Sequence, residues 1–274
     1  MTDANSFYFR VRGRESLLSS LAAGCCDDHL VLYEELNTYH DIGMHGERLM
    51  RSDLLLTASN NEDAIRIGYE LIDLLNGVVM LSLSDALGTL AVTLENLFSS
   101  NTAHAKLELS LPNREPALSL TGMFRDESNI PIPQYVEPEF GLFRDVFQKQ
   151  SSTDDCTLHC SISRLFCLAA RDLGIYILLK LFGMEINWVT LYKILETLET
   201  LMDADGFASP ISKVDRNALT NAANNFSLTN LFARHGVKPV GKPNKTKVAT
   251  LQEALVTLQK ATNAYIKFKL TASK

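Results

Sequence analysis

The stretch Asn187-Trp-Val-Thr-Leu-Tyr-Lys-Ile-Leu-Glu-Thr-Leu-Glu-Thr-Leu-Met202 carries the clearest helical pattern in the chain and its one tryptophan. Trp188, Leu191, Leu195, Leu198 and Met202, flanked by Ile194 and Leu201, recur at spacings of three and four, which lays one broad apolar stripe along a helix. Tyr192, Lys193, Glu196 and Glu199 fall on the opposite face, and Asn187 is placed to cap the first turn. A helix striped in this way has to bury its apolar side against other elements, so its neighbours decide the fold.

Those neighbours read as helices. From Glu139 onward Phe140 to Gln148 is a short helix, and Cys156 to Arg171 with Asp172 to Phe182 form a pair, or one helix kinked at Gly174. Asp203 to Pro210 is a turn. Asp215 to Asn225, with asparagines at 217, 221, 224 and 225, reads as irregular, turn-rich chain; the alternative is a helix that sets Asn221 and Asn225 on one face. Leu228 to His235 is apolar and ends in Ala-Arg-His-Gly, Val237 to Thr246 is a loop, and Thr250 to Phe268 is a final helix with Leu251, Leu255 and Leu258 inward.

The other half is different. Phe7 to Arg12, Leu30 to Leu36, Leu54 to Thr57 and Lys106 to Leu111 have strand character, while Asn60 to Asn76 and Leu83 to Phe98 read as helices. The first of these helices carries acids in its opening turn, and Asn76-Gly77 reads as its stop. Between the halves, Pro112 to Pro138 holds five of the chain's eight prolines, which stop helices and break sheet ladders. The expectation is an α+β protein: a small mixed α/β N-terminal part at 1–120, a proline-rich linker at 121–138 and a mainly α-helical C-terminal domain at 139–274.

Charge changes sign along the same boundary. Residues 1–137 hold 9 Lys+Arg against 20 Asp+Glu, net −11; of the chain's 26 and 32 this leaves 17 against 12, net +5, for the remainder. Lys238 to Lys274 contains eight lysines and the single acid Glu253. A basic end invites anionic partners, RNA or a nucleotide first, and the acidic end invites a protein partner; a solvated lysine surface is the competing account. The N-terminus lacks a basic region followed by an apolar run, and Leu165 to Gly183 is interrupted by Arg171, Asp172 and Lys180, so neither a signal peptide nor a membrane span is expected. The five cysteines show no disulfide-like spacing, which favours a reducing, cytoplasmic setting.

Two groups hold metal-capable side chains: Cys156, His159, Cys160 and Cys167, and His40, Asp41, His45 and Glu47. Zinc sites draw ligand pairs from separate elements, and His40 and His45 fall on different faces of any helix, so no metal is expected. Motifs for a phosphate loop, a serine nucleophile elbow or a zinc protease are missing, and no cofactor is expected. Arg234-His235-Gly236 is the spot with most chemistry. The arginine can fork onto a phosphate or carboxylate and the histidine can move a proton near neutral pH. The equal alternative is a basic pair that satisfies the last carbonyls of a helix. If the late helices fold back, Tyr192, Lys193 and Glu196 meet Asn221, Asn225 and the Arg234-His235 pair in one site.

Leu191-Tyr-Lys-Ile-Leu-Glu196 and Ala233-Arg-His-Gly236, followed by a terminal helix, resemble uncharacterised bacterial proteins with a HEPN-like helical domain. The resemblance covers about the last hundred residues. It implies an RNA-directed role, in ribonucleases of toxin–antitoxin and antiphage systems, with Arg234 and His235 as catalytic residues. HEPN ribonucleases separate that arginine from its histidine by a few residues, whereas Arg234 adjoins His235. The departure shifts the expectation from cleavage to binding of RNA, a nucleotide or a protein partner, or to a structural role without a ligand.

Overall fold

Alternating aromatic and basic side chains make Ser6–Arg12 the central strand, β1, of an antiparallel sheet. The computed structural model describes residues 6–24, 26–27, 30–36, 46–82, 92–100, 106–110, 161–229, 233–234 and 247–272. The chain divides into two units, one drawn from Met1–Ile72 and Ala91–Leu173, the other from Asp73–Leu90 and Gly174–Lys274. The fold class is α+β. The proline-rich segment at 121–138 lies outside the described residues, as do the short helix at 140–148, the His40–His45 loop and Cys156 to Cys160.

In the first unit β1 is joined by β2 (Cys26–Asp27), β3 (Leu30–Leu36), β4 (Gly46–Arg51), β5 (Thr93–Ser100) and β6 (Lys106–Ser110) in the order β2-β3-β4-β1-β5-β6. Phe9 pairs across Met50 on one side and Leu97 on the other, and all three are buried. On the other face Tyr8 stacks on Phe98, directly opposite it in register, with ring centroids 5.1 Å apart. Arg10 lies over the same Phe98 ring and pairs with Glu47 at 2.7 Å. α1 (Glu15–Gly24), which the pattern does not single out, buries Leu17, Leu18 and Leu21. α3 (Ser161–Arg171) belongs to this unit too.

Two expectations fail here. Leu54 to Thr57 is not a strand but part of a 3-10 turn, Asp53–Thr57. The Ser52 hydroxyl caps it by accepting the Leu54 N–H, and Leu54 and Leu55 are both buried within the turn. Of the helix expected at Leu83 to Phe98, 83–91 lie outside the described residues, and Thr93 to Phe98 belong instead to β5, which ladders on both sides with β1 and β6. Non-local pairing overrides a local helical spacing there.

The second helix, α2 (Asn61–Ser82), runs straight past the expected stop at Asn76-Gly77. Its residues from Asp73 on belong to the second unit, with α4 (Leu173–Gly183), α5 (Trp188–Ala204), α6 (Lys213–Asn224), the single turn α7 (Phe226–Thr229) and α8 (Leu251–Ala272). Gly77 is a crossing point. A Cβ on it would lie 2.0 Å from the Leu179 carbonyl oxygen, and one on Gly183 would lie 2.1 Å from that of Asp73. The backbones of α2 and α4 therefore touch, and Lys180 pairs with Asp73 at 3.2 Å beside the crossing. The break between α3 and α4 falls at Asp172, and Gly174 sits buried inside α4.

The α5 stripe is buried as expected, with Trp188, Leu191, Ile194, Leu195, Leu198 and Met202 inward and Asn187 accepting the Thr190 N–H at 2.9 Å. Asp215 to Asn225 corrects the turn-rich reading, since it is helical. Ser212 caps α6 through the Asp215 N–H, and Ala218, Leu219, Ala222 and Ala223 are buried at helical spacing, packing that outweighs the asparagines' low propensity. α8 opens with a capping box, Thr250 and Glu253 each accepting the other's N–H. It packs on α5 and α6 with Leu255, Leu258, Ala261 and Tyr265 buried. The amides of Gln259 and Asn263 donate to the Met80 and Leu81 carbonyls, so α8 satisfies the terminal acceptors of α2. At the C-cap of α5, Asp205 accepts from the Tyr265 hydroxyl and from Lys269 Nζ at 2.8 Å, while Phe207 packs against Tyr265 and Phe268.

Three outcomes follow from this packing. Gly77→Ala and Gly183→Ala each push the α2 and α4 backbones apart, and each is expected to destabilise the protein by about 3 kcal/mol or more in urea titrations. A chain of residues 139–274 lacks the α2 segment that crosses α4 and is expected to lose the cooperative melt; a melt like that of the full chain overturns this. Lys269, and after it Tyr265, hold the Asp205 carboxyl below the usual carboxylate range. Its contribution is thus present at neutral pH and lost as pH falls through the lowered value, below about pH 4. Asp205→Asn should lower the melting temperature at pH 7 and narrow its difference from the parent as the melt is repeated toward pH 3.

Candidate binding surface on the helical hairpin

Tyr192, Glu196 and Glu199 stand at i, i+4 and i+7 on α5, so one face of that helix carries an aromatic ring followed by two carboxylates. α6 runs back along α5: Arg216, near its start, meets Glu199 near the end of α5, and the end of α6 lies toward Tyr192. Arg216 forks onto Glu199 with Nε at 2.6 Å and Nη2 at 2.9 Å, a bidentate pair that raises the arginine's pKa, chiefly through those hydrogen bonds.

Arg234 arrives from beyond α7. Its backbone N–H donates to the Ala223 carbonyl at 2.7 Å, satisfying an acceptor in the last turn of α6 and fixing where the side chain begins. From that anchor the guanidinium carbon sits 4.2 Å above the centre of the Tyr192 ring, in cation–π range. Nη1 lies 3.7 Å from a Glu196 oxygen, an ion pair beyond hydrogen-bond distance, with 40% and 50% of the two side chains exposed. The two arginines are therefore held differently: Arg216 is forked onto its carboxylate by two hydrogen bonds, and Arg234 rests on a ring beside a loosely held one.

Of the predicted residues, the structure brings Tyr192, Glu196 and Arg234 together. Lys193 is half-buried on the same helix, and burial lowers its pKa. Asn221 donates its amide to the Lys247 carbonyl at 3.5 Å, along the segment that leads into α8, where Lys247 pairs with Asp215 at 3.6 Å. Asn225 is the C-cap of α6, and its carbonyl accepts the N–H groups of Leu228 and Thr229 within α7. These bonds place the two asparagines at the end and flank of α6. His235 lies outside the described residues, as do 236–246.

The sequence reading missed the Glu199–Arg216 pair. Its signal was present: Glu199 shares the Tyr192–Glu196 face, and Ser212 with Asp215 marks a helix start that places Arg216 in the first turn. Chemically, the surface can hold an anion or a planar group against Arg234. It is open and polar, and among the described residues no group of three or more His, Cys, Asp or Glu side chains is placed to hold a metal ion. No helix of the described residues is long and apolar enough to cross a membrane. No family model matches this chain, and neither a curated protein nor a solved structure matches it.

Proposed function

We propose that the chain is a cytoplasmic binding protein for single-stranded RNA, and that Arg234 on its Tyr192 platform is the contact point. The observation that supports this reading is the placement of Arg234: anchored through its backbone, over an aromatic ring, and without a hydrogen-bonded carboxylate among the described residues. A guanidinium so held presents N–H donors to a phosphate and a face to an unstacked base, the two features by which proteins take single-stranded RNA. The lysines at 238, 242, 245 and 247 follow it in the chain and supply the positive field that draws a polyanion. The HEPN-like resemblance points the same way, toward a bacterial defence or toxin–antitoxin setting. Binding is preferred to cleavage because Arg234 and His235 are adjacent in the chain.

The reading is tested by fluorescence anisotropy with a labelled single-stranded RNA over a salt series. Arg234→Ala should weaken binding about tenfold and flatten the plot of log affinity against log salt by roughly 0.7, the contribution of one phosphate contact. Tyr192→Phe should bind like the parent and Tyr192→Ala should not, since the ring and not the hydroxyl supports the arginine. Affinity indifferent to salt and to Arg234→Ala overturns the proposal. Shortening of the RNA that disappears in His235→Ala replaces it with a nuclease.

A further inference from the structure

Arg234 has an internal rival for its ligand. Glu196 is one turn beyond Tyr192 on the same face of α5, and its carboxylate stands 3.7 Å from Arg234 Nη1. The neighbouring pair shows what a committed contact looks like here: Glu199 takes both Nε and Nη2 of Arg216 at 2.6 and 2.9 Å. Glu196 makes no such fork. It neutralises Arg234 at a distance, half-exposed to water, where an ion pair contributes little and is screened by salt. Arg216 also feels Glu196 through space, which is among the smaller causes of that arginine's raised pKa.

Resting on the reading that Arg234 takes a phosphate, we infer that Glu196 is a specificity-determining residue which sets the threshold for anion binding by competing for that guanidinium. A phosphodiester oxygen that approaches Arg234 within hydrogen-bond distance displaces a carboxylate held only by charge. A lone carboxylate ligand, offering the same chemistry as Glu196 without a second charged unit along a chain, gains little by the exchange. The glutamate therefore tilts the surface toward polyanions and against single carboxylates. Glu199 does not share the role, because opening its fork would strand Arg216.

The experiment is a double-mutant cycle on the full-length chain, with the same labelled single-stranded RNA and with acetate as competitor. Glu196→Gln should tighten RNA binding roughly threefold, the size of an exposed ion pair, and should make acetate a more effective competitor. Glu62→Gln, an equal change of net charge on an exposed residue in the first turn of α2, should leave affinity within error of the parent. In an Arg234→Ala background Glu196→Gln should change nothing, because the rivalry has no object. If Glu196→Gln binds no tighter than Glu62→Gln while Arg234→Ala still weakens binding, the competition is refuted and the RNA reading stands. If Arg234→Ala and the parent bind alike, or neither binds, both fall. Should Glu196→Gln melt below the parent, Glu196→Asp supplies the same test by withdrawing the carboxylate without removing its charge, and should fall between the two; an affinity for Glu196→Asp equal to the parent's then counts against the competition.

Discussion

The contact on which the helical unit depends is the one made without side chains, where Gly77 of α2 meets the Leu179 carbonyl and Gly183 of α4 meets that of Asp73. Helices normally stand about 8–10 Å apart because side chains intervene. Removing them at both positions lets the two backbones close, and this is how a segment from the first third of the chain becomes a member of a unit otherwise made from its last hundred residues. The end of α2 then needs partners for its terminal carbonyls. They come from α8, through Gln259 and Asn263, 179 and 182 residues further along the chain. The crossing and these amide contacts both depend on long-range closure of the chain.

Local signals were legible where they were redundant. The α5 stripe has seven apolar positions at helical spacing and a capping asparagine, and nothing non-local contradicts it. β1 alternates, burying Phe7, Phe9 and Val11. Legibility failed where one residue type serves two purposes. Gly77 carries the signature of a helix stop and is in fact a helix contact; the asparagines of α6 look like turn formers, yet they sit on a helix whose buried face is made by alanines too small to announce it. The three leucines at 54–56 fit a strand by propensity, but Ser52 caps them into a 3-10 turn in which Leu54 and Leu55 are buried. β5 is invisible locally, since what holds it is the ladder with β1 and β6.

The candidate surface divides along the same line. Tyr192, Glu196 and Arg234 were legible as a set because residues four apart on a helix share a face, and because an arginine before a glycine marks a chain end near other elements. Arg216 was not, because its role depends on α6 being a helix, the very point on which the asparagines mislead. Asn221 and Asn225 were grouped with the arginine on spacing alone. The Asn221 amide donates to the Lys247 carbonyl ahead of α8, and the Asn225 carbonyl accepts the Leu228 and Thr229 N–H groups of α7.

On the proposed reading, charge explains how an acidic helix face can belong to a surface that would take a polyanion. Glu196 and Glu199 alone would repel one. Arg216 cancels Glu199 at hydrogen-bond range and Arg234 cancels Glu196 at 3.7 Å, so the four side chains sum to no net charge. Attraction at a distance would then come from elsewhere in the chain, and the stretch after Val237, with eight lysines and the one acid Glu253, is the source at hand, two of its lysines pairing with Asp215 and Asp205. The hairpin and the lysines divide the work by range. Lysines act over a Debye length and carry no information about shape, while Arg234 acts only on a group that reaches the ring beneath it. If the surface takes RNA as proposed, a neutral, aromatic-backed arginine site in a chain with a lysine-rich end would let contact geometry, and not bulk charge, decide which anion stays.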